Sequence, residues 1–516
     1  MKELVYSRMF VQRMGWYADK VGFIDGEYRG TYAQHFERVS RLCSALKKLG
    51  ITKQDRFAVM ALNSHQYLEL YHAAYLGAGV INPLNLRLAP TELTYILQDS
   101  GTKVIFVDAV FAPLIAAIKQ AAGIEKVVLI GPGDAPHDVG YEAMLSDAHP
   151  RLPDDPEESD PVVLMYTGGT TGLSKGVLLD QRAEMLNFYH AATQWPLDER
   201  LTYLHQTPMF HAASMVGMLG SPLGGTSVFI PVFDPAKVPL VIEATGVNMT
   251  VMVPTMIGMM LDHPEWKPER LRSLQILTYG ASPMPLALLE RVQKLYPTLE
   301  LYQGYGMTEA AAVLTVLRPE HHREGGKLLK SAGRAAPGVE IAILDEHGNK
   351  AKTGETGEVC ALAGNFMREY WKKPDATTEV FRDGWYHTGD AGYLDERGFL
   401  YLVDRVKDMI VTGGENVYSI EVENALATHP AVAQVAVICI PDEKWGEAVH
   451  AIVVPRPGQT PSEQELIEHA RKAIAGYKVP KSVELRAQPL PLSGAMKVLK
   501  RELRAPYWQG RERSVN

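Results

Sequence analysis

The stretch from Tyr166 to Gly176, Tyr-Thr-Gly-Gly-Thr-Thr-Gly-Leu-Ser-Lys-Gly, combines small, hydroxylated and cationic residues directly after an apolar run. Its glycines allow several amide N–H groups to converge on one anion, and Lys175 adds a compact positive charge. Phosphate binding is therefore the chemistry that this stretch could perform. The P-loop of nucleotide triphosphatases differs, because there a glycine precedes the lysine and a serine or threonine follows it. Here Ser174 precedes Lys175, and composition alone leaves a flexible surface turn as an alternative.

Two further Gly-rich or polar segments each follow an apolar run that is typical of a strand. Gly280-Ala-Ser-Pro-Met284 comes after Leu274 to Thr278, and Gly304-Tyr-Gly-Met-Thr-Glu309 comes after Leu299 to Tyr302. In open α/β sheets, ligands bind in the crevice beyond the carboxyl ends of the strands. We therefore expect these two segments to share one site with the Tyr166 to Gly176 loop.

Short apolar runs alternate with amphipathic stretches over about the first 310 residues, which indicates an α/β fold. Strand-like runs separated by turns predict a small β-rich subdomain after about residue 330. From about Arg405 the patterns predict a compact α+β unit. We therefore expect an N-terminal domain over residues 1–404 and an α+β C-terminal domain over residues 405–516. The predicted strands include Phe57 to Met60, Val104 to Val107, Ser227 to Val232, Val247 to Val253, Ile341 to Leu344, Glu358 to Leu362 and Ala448 to Val454.

The bulk composition excludes several classes of protein. At 516 residues the chain is too long for one core of ordinary size, and its 46% hydrophobic content is that of a globular protein. A net charge of -8 gives no general electrostatic reason to bind nucleic acid. We expect neither a signal peptide nor a membrane span. The three cysteines, Cys43, Cys360 and Cys439, lack disulfide or zinc-ligand spacing, so we expect reduced core thiols in a cytoplasmic protein.

Six motifs, in order along the chain, resemble those of the AMP-forming acyl-CoA synthetase family. This adenylate-forming superfamily also holds aryl-CoA ligases, the adenylation domains of peptide synthetases and firefly-type luciferases. The resemblance covers essentially the whole chain and implies an adenylate-forming enzyme fold with a mobile C-terminal domain. The motifs are Tyr166 to Gly176, Pro208-Met-Phe-His211, Tyr305-Gly-Met-Thr-Glu309, Gly384-Trp-Tyr-His-Thr-Gly-Asp390, Asp404-Arg-Val-Lys-Asp-Met-Ile410 with Gly413-Gly-Glu-Asn416, and Gly494-Ala-Met-Lys497.

The resemblance implies an ATP-dependent ligase. Such an enzyme converts a carboxylic acid to acyl-AMP and pyrophosphate, and then transfers the acyl group to CoA. Both reactants of the first step are anions, so the site must supply cationic and hydrogen-bonding groups where negative charge develops. By resemblance, Thr308 would contact the α-phosphate, Glu309 would hold Mg²⁺, and Asp390 would bind the ribose with Arg405 beside it. The β- and γ-phosphates would be held by Thr167, Gly168, Gly169, Thr170, Thr171, Gly172 and Lys175, and the adenine enclosed by Gly280, Ala281, Ser282, Pro283 and Tyr305.

Lys497 aligns with the family's catalytic lysine, which would bridge the substrate carboxylate and the α-phosphate. Met496 stands where many members have glycine, which is a departure from the family pattern. The family swings its C-terminal domain between two poses, and Lys407 aligns with the hinge. In the second pose Gly413, Gly414 and Glu415 would line the pantetheine tunnel. The candidates for the nucleotide end of CoA are Arg87, Lys444, Trp445 and Lys478.

The acyl pocket is predicted from residues that align with the family's substrate site. Its walls are small and apolar, which favours an apolar acid over a polar or amino-acid substrate. Medium- to long-chain fatty acids are the first expectation, and benzoate-, coumarate- or ferulate-like aryl acids are the alternative. Asp180-Gln181 replaces the Thr-His pair of many members. The pocket residues would be His211, which also joins Thr308, Glu309 and Lys497 as catalytic, with Ala212, Ala213, Met215, Val253, Gly280, Gly304, Met307 and Ala310.

Two other functional hypotheses stay open from the sequence. A stand-alone adenylating enzyme would load the acyl group onto a carrier-protein thiol, and it would exchange pyrophosphate into ATP without a CoA-dependent product. A non-enzymatic nucleotide-binding protein would bind ATP without turnover, but the complete set of Lys497, Glu309 and Asp390 argues against it. The expected ligands are ATP, Mg²⁺, coenzyme A and a small carboxylic acid. A homodimer is expected only because twofold oligomers are common.

Overall fold

The computed structural model describes residues 4–167, 173–218, 220–405, 408–412, 415–442, 444–494 and 496–509. Within it the strands, in chain order, are β1 Val21–Asp25, β2 Tyr28–Thr31, β3 Arg56–Met60, β4 Val80–Pro83, β5 Val104–Asp108, β6 Lys126–Ile130, β7 Val139–Gly140, β8 Pro161–Thr167, β9 Lys175–Asp180, β10 Thr202–His205, β11 Thr226–Phe229, β12 Met249–Met252, β13 Ile276–Gly280, β14 Glu300–Tyr305, β15 Thr315–Leu317, β16 Arg334–Ala335, β17 Glu340–Leu344, β18 Gly357–Leu362, β19 Glu369–Tyr370, β20 Phe381–Arg382, β21 Trp385–Leu394, β22 Leu400–Arg405, β23 Ile410–Thr412, β24 Glu415–Val417, β25 Val432–Asp442, β26 Gly446–Pro455 and β27 Ser482–Leu485.

The helices begin and end where their sequences supply caps. Thr31 and Gln34 form a capping box at the start of α2, and Gly101 ends α4 in the left-handed conformation. In chain order the α-helices are α1 Tyr6–Trp16, α2 Tyr32–Lys48, α3 His65–Tyr75, α4 Pro90–Ser100, α5 Ala112–Ala122, α6 Tyr141–Ser146, α7 Gln181–Gln194, α8 Met215–Met218, α9 Lys237–Thr245, α10 Pro254–Leu261, α11 Leu286–Leu295, α12 Pro319–Glu324, α13 Pro374–Val380, α14 Ser419–Ala427, α15 Glu463–Ala473 and α16 Lys500–Arg504.

The large sheet joins strands in the order β16-β15-β14-β13-β12-β10-β11-β1-β2. The strands β10 to β14 run parallel to their neighbours within this group, so the loops after β13 and β14 leave the sheet at the same edge. Near the N-terminus, β1 adds parallel to β11, with Phe23 opposite Ser227. The large sheet therefore depends on chain segments that are far apart in sequence.

The second sheet has the strand order β19-β9-β8-β4-β3-β5-β6-β7. Its strands β8 and β9 form an antiparallel hairpin around the predicted phosphate loop, with Thr167 opposite Lys175. The short strand β19 adds antiparallel to β9, with Tyr370 opposite Val177. A segment from the β-rich region thus completes the sheet that carries the phosphate loop.

Two smaller sheets complete the fold. The small sheet is antiparallel, in the order β17-β18-β21-β20, with β22 also paired to β21. The C-terminal sheet has the order β24-β23-β26-β25, and β27 adds parallel to β26. All strands of the C-terminal sheet follow residue 405, as the predicted α+β unit requires. The domain boundary itself stays a prediction.

Each face of the large sheet supports a separate hydrophobic core. Along β13, Ile276 and Leu277 belong to different core clusters, as the alternation of side chains in a strand requires. Tyr302 of β14 lies in the same cluster as Ile276, and Leu301 lies with Leu277. The Ile276 face is covered mainly by residues of α2, α3, α7 and α8, and the Leu277 face by α9, α10 and α11.

The predicted α/β fold is confirmed, and each strand predicted above is present. The main difference is at a strand end: the run Ser227 to Val232 predicts a longer strand than β11, which stops at Phe229. Pro231 lacks the amide N–H that a central strand must donate, so the ladder cannot continue through it.

Cys43, Cys360 and Cys439 are buried free thiols, as predicted. In the described residues, every helix is too short or too polar to span a bilayer.

A buried histidine on α12 couples the stability of this fold to pH. The hydroxyl of Tyr279 lies 2.9 Å from His322 Nε2, and the Arg318 carbonyl lies 2.9 Å from His322 Nδ1. Burial is the main cause that lowers the pKa of His322 from 6.5 to about 4. Below pH 6.5 the unfolded chain therefore binds a proton that the folded chain does not, so the free energy of unfolding decreases as the pH falls from 6.5 to 4.

We expect His322→Gln to remove up to about 3 kcal/mol of this pH dependence, because glutamine does not titrate but can still accept from Tyr279. Urea denaturation of both proteins at pH 7 and pH 4.5 measures it. Equal loss of stability on acidification in the two proteins would contradict this assignment.

Candidate active site

The β8–β9 hairpin holds the ends of the predicted phosphate loop. Trp371 donates its backbone N–H to the Gly176 carbonyl at 2.7 Å, and the Lys175 ammonium lies 4.9 Å from the centre of the Tyr370 ring. A lysine over an aromatic face is held electrostatically without losing its charge. Thr167 and Lys175 therefore stand at the two ends of the loop. The predicted phosphate ligands Gly168, Gly169, Thr170, Thr171 and Gly172 lie outside the described residues.

Glu309 is oriented by a tyrosine that the sequence did not indicate. The Tyr370 hydroxyl donates to Glu309 Oε1 at 2.8 Å. This hydrogen bond uses Oε1 of Glu309 and does not involve the other carboxylate oxygen, Oε2. An oxygen ligand beside a phosphate loop suits Mg²⁺, so these residues fit the expected metal. The only sequence signal for this contact is the aromatic pair Tyr370-Trp371 between predicted strands, and it matches none of the six motifs.

The backbone around Thr308 is unusually tight. Ala311 and Ala312 have φ angles of 48° and 106°, in the region that favours glycine. Gly306 has no room for a side chain, because a Cβ there would overlap the Ala312 carbonyl oxygen. Such conformations cost about 1–3 kcal/mol each and persist only where the surroundings impose them. Thr308 and Glu309 are therefore held on a rigid turn.

The strand ends of β13 and β14 form the predicted adenine site. Gly280 lies opposite Gly304, and a Cβ on Gly280 would overlap the Gly304 carbonyl. Ala281 follows with φ of 63°, which turns the chain sharply into Ser282 and Pro283. Predicted adenine and acyl residues thus meet at one edge of the large sheet.

Asp390 is fixed from several sides on β21. The Tyr305 hydroxyl donates to Asp390 Oδ2 at 2.8 Å, and the Asp390 amide donates to Thr388 Oγ1 at 3.1 Å. Asp390 also lies opposite Arg405 across the β21–β22 ladder, although the Arg405 side chain lies outside the described part of the chain. The structure therefore places the predicted ribose ligand directly beside the predicted adenine contact.

A cluster behind Asp390 supports the turn that precedes it. Glu358 accepts from the Gly389 amide at 3.2 Å and lies 2.7 Å from His387 Nδ1. Cys360 Sγ lies 3.4 Å from the same ring nitrogen, and burial is the main cause that raises the pKa of Cys360 to about 12. Glu358 is a second residue that motif reading missed, and its contact with Gly389 shows that it positions the Asp390 strand.

His211 is a neutral histidine with a defined tautomer. The Ala213 amide donates to His211 Nδ1 at 3.2 Å, so the remaining proton is on Nε2. Burial and the nearby charge of Lys497 lower the pKa of His211 to about 3. His211 can therefore donate a hydrogen bond from Nε2 but cannot act as a cation at neutral pH.

The predicted acyl-pocket residues fall into neighbouring clusters rather than one. Ala212 and Met215 are buried in the core on the Ile276 face, where Ala213 and Met307 also pack. Val253 is buried in the core on the opposite face, and Ala310 packs with Tyr305 under the small sheet. Ala212, Ala213, Met215 and Met307 therefore belong to one core, and their role as a wall of the acyl pocket stays a prediction.

Trp195 lies deeper on this face of the large sheet. Its indole Nε1 donates to Thr278 Oγ1 at 2.8 Å, and its ring centre lies 5.8 Å from that of Tyr302. Thr278 and Tyr302 are two residues before Gly280 and Gly304 on their strands, so they share the same face about 7 Å away. One side-chain position further along this face from Gly280 and Gly304, the space is therefore filled by the aromatic rings of Trp195 and Tyr302.

Lys497 lies on the short loop Leu492 to Val498, which we call the lysine loop. This loop contacts the predicted N-terminal domain, residues 1–404, which we call the large domain. The chain around it pairs across Leu492 and Val498, and Ser493 donates its backbone N–H to the Lys497 carbonyl at 2.7 Å. Thr255 of α10 donates its hydroxyl to the Met496 carbonyl at 2.9 Å. The structure thus brings Lys497 and His211 together from distant parts of the sequence.

The predicted CoA residues contact different parts of the structure in this pose. Lys478 pairs with Glu421 at 2.7 Å inside the C-terminal domain, and the Lys444 ammonium lies 4.6 Å from the Trp445 ring centre. Arg87 donates to carbonyls of the lysine loop. The hinge residue Lys407 and the tunnel residues Gly413 and Gly414 lie outside the described residues, as does the side chain of Glu415. The CoA and hinge roles stay predictions.

Comparison with known families gives two matches that together span most of the chain. The AMP-binding enzyme family matches residues 10–371, and the AMP-binding enzyme C-terminal domain matches residues 421–497. The phosphate-loop hairpin lies within the first match, and Lys497 is the last residue of the second.

Individual relatives differ in what their names say they act on. A fatty acid–[acyl-carrier-protein] ligase, ScoC, from Streptomyces coeruleorubidus is 37% identical over 94% of this chain and 93% of its own length. A feruloyl-CoA synthase from Amycolatopsis is 39% identical over 92% and 94%. Among solved structures, a Mycobacterium tuberculosis fatty acyl CoA synthetase is 32% identical, covers 99% of each chain and superimposes with a TM-score of 0.77.

Proposed function

This chain belongs to the AMP-binding enzyme family, and from that premise we propose that it is an AMP-forming acyl-CoA ligase that activates an apolar carboxylic acid. The observation that carries the proposal is the docked lysine loop, which brings Lys497 near His211 while Tyr305 binds Asp390 at 2.8 Å. A cationic group, a neutral hydrogen-bond donor and a ribose acceptor would then be supplied where a carboxylate and the α-phosphate of ATP must meet.

The first step joins a carboxylate oxygen to the α-phosphorus and breaks the bond between that phosphorus and pyrophosphate. Lys497 would neutralise the charge that builds between the two anions, and His211 would orient the carboxylate through Nε2–H. Lys175 would hold the departing pyrophosphate. Glu309, oriented by Tyr370, would hold Mg²⁺, which when bound would neutralise phosphate charge. In the second step the CoA sulfur attacks the acyl carbon, and AMP leaves.

The acid that best suits the wall is apolar, because Ala212, Ala213, Met215 and Met307 offer no charge to a substrate. A medium- to long-chain fatty acid is our first assignment, in keeping with the ScoC and mycobacterial relatives. An aryl acid of the cinnamate type is the second candidate. The observation that favours it is the pair of aromatic rings of Trp195 and Tyr302, which would limit how far an acyl chain can extend into the pocket.

The test is a panel assay of AMP release with CoA across aliphatic chain lengths and several aryl acids. We expect Trp195→Ala to raise kcat/KM for acids longer than the wild-type optimum by about tenfold for each two added methylenes, since each buried methylene contributes about 0.8 kcal/mol. Trp195→Phe serves as the matched control because it keeps an aromatic ring at this level. An unchanged chain-length profile in a folded Trp195→Ala protein would show that Trp195 does not limit the pocket.

The same assay decides the thiol acceptor. A carrier-protein loader, as the name of ScoC describes for that relative, would release pyrophosphate with the acid but give no CoA thioester. We expect CoA thioester formation. Absence of adenylate formation with every acid in the panel would overturn the proposed function.

A further inference from the structure

The loop that carries Lys497 is held by the large domain through residues that precede the lysine. Arg87, between β4 and α4, donates from Nη1 to the carbonyls of Leu492 and Ser493 at 3.1 and 3.2 Å. Thr255, in the first turn of α10, donates to the Met496 carbonyl at 2.9 Å. Because carbonyls before and after residue 495 are held, the position of the loop is fixed relative to the site.

Met496 adds a third contact and an internal strain. Its φ angle is 61°, a conformation that is unfavourable for a residue with a side chain and that glycine adopts readily. In return its side chain packs against the core on the Leu277 face, and its Sδ lies 3.8 Å from Arg87 Nη2. Leaving the docked pose would relieve this backbone strain but would also lose these packing contacts.

The docked loop also requires close approach at Gly494. A Cβ on this residue would overlap Oδ1 of Asn85, and the ring of Phe210 would lie 3.0 Å away. Asn85 is itself held, since its Oδ1 accepts from the Arg87 amide at 3.1 Å. The Asn85 side chain that faces Gly494 is therefore held in place by its own neighbour in the chain.

We propose that Arg87, Thr255 and Met496 act as positioning residues for adenylate formation, fixing the lysine loop on the large domain so that Lys497 reaches the α-phosphate. We call these three residues the clasp. The inference rests on the proposed function and adds that the clasp must open before the C-terminal domain can leave for the thioester step. The strained Met496 backbone favours that release, while its side chain and the two donors oppose it.

The test separates the two half-reactions. Single-turnover pyrophosphate release without CoA reports adenylate formation, and synthetic acyl-adenylate with saturating CoA reports thioester formation. We expect Thr255→Val to slow the first reaction about 3- to 10-fold, the effect of one lost hydrogen bond, and to leave the second unchanged or faster. Thr255→Ser keeps the hydroxyl and is expected to restore the first rate. Equal slowing of both reactions, or no effect on the first, would overturn the proposal.

Met496→Gly gives an independent check because it removes the side-chain contact and the strain together. We expect slower adenylate formation and thioester formation at least as fast as in the wild type. Arg87→Gln is less decisive, since Arg87 is also a predicted CoA residue. A Met496→Gly protein with wild-type rates in the first reaction would contradict a role for its side chain.

A measurement without turnover keeps this test independent of the proposed reaction. In the docked pose, Nη1 of Arg456 in the C-terminal domain lies 3.9 Å from Oδ2 of Asp262 in the large domain. With cysteines at these two positions, the yield of crosslinking by a short bifunctional maleimide reports docking. We expect Thr255→Val to lower that yield and Thr255→Ser to keep it. Unchanged yields would refute the clasp even if no acid is ever activated.

Discussion

Replacing Lys497 with alanine is expected to slow acyl-adenylate formation by at least about 10²- to 10³-fold, the usual effect of removing a group that stabilises charge in a transition state. Its ammonium is close enough to His211 to lower the pKa of that histidine, and no other side chain of the lysine loop carries a charge. Thioester formation from supplied acyl-adenylate should be nearly unaffected, because Lys497 has no part in that step. Pyrophosphate release and thioester formation, assayed separately, measure the two effects.

Lys500 provides the matched control for Lys497. Its ammonium donates to Ser419 at 2.6 Å and pairs with Glu423 at 2.6 Å, so its partners lie inside the C-terminal domain. Lys500→Ala should therefore destabilise that domain without separating the half-reactions. Equal loss of both half-reactions in Lys497→Ala would show that Lys497 serves the fold or both steps, and not adenylate formation alone.

Asp390→Ala is expected to raise the KM for ATP about 30- to 100-fold, with a smaller effect on kcat. Ionised hydrogen-bond acceptors contribute about 1.5–3 kcal/mol each, and the loss would fall on ground-state nucleotide binding rather than on the reacting atoms. Steady-state kinetics at saturating acid and CoA measure the change.

Tyr305→Phe tests the arrangement around Asp390 without removing the carboxylate. It deletes the hydroxyl that donates to Asp390 at 2.8 Å but keeps the ring at the predicted adenine site. We expect a KM for ATP between those of the wild type and Asp390→Ala. A fall in kcat with unchanged KM in Asp390→Ala would assign this carboxylate to the chemical step and contradict ribose binding.

Most strands could be predicted along the chain because they carry unbroken apolar runs bounded by turn residues. β19 was not, since two residues, Glu369 and Tyr370, show no periodicity that could identify a strand. Its pairing with β9 depends on tertiary contacts that sequence patterns do not contain. With β19 missed, the contact of Tyr370 with Glu309 was also missed.

The predicted site residues came from motifs. The structure confirms that some of them, such as Asp390 and Tyr305, are hydrogen-bonded neighbours. It does not gather residues whose roles need a second pose, such as Lys444 and Lys478. The clasp was unpredictable for a different reason. Thr255 has no motif, and the effect of Met496 depends on a backbone angle that only the docked loop reveals.

The interleaved strand order has a consequence for synthesis on the ribosome. The N-terminal strand β1 pairs with β11, and the large sheet is complete only with Arg334–Ala335. The second sheet is completed later still, because its strand β19 ends at Tyr370. A nascent chain must therefore carry unpaired strand edges through about two-thirds of its translation, when such edges can pair with other chains. Slow elongation before residue 370 would prolong that exposure, whereas the C-terminal sheet, made of consecutive segments, can close as soon as it emerges.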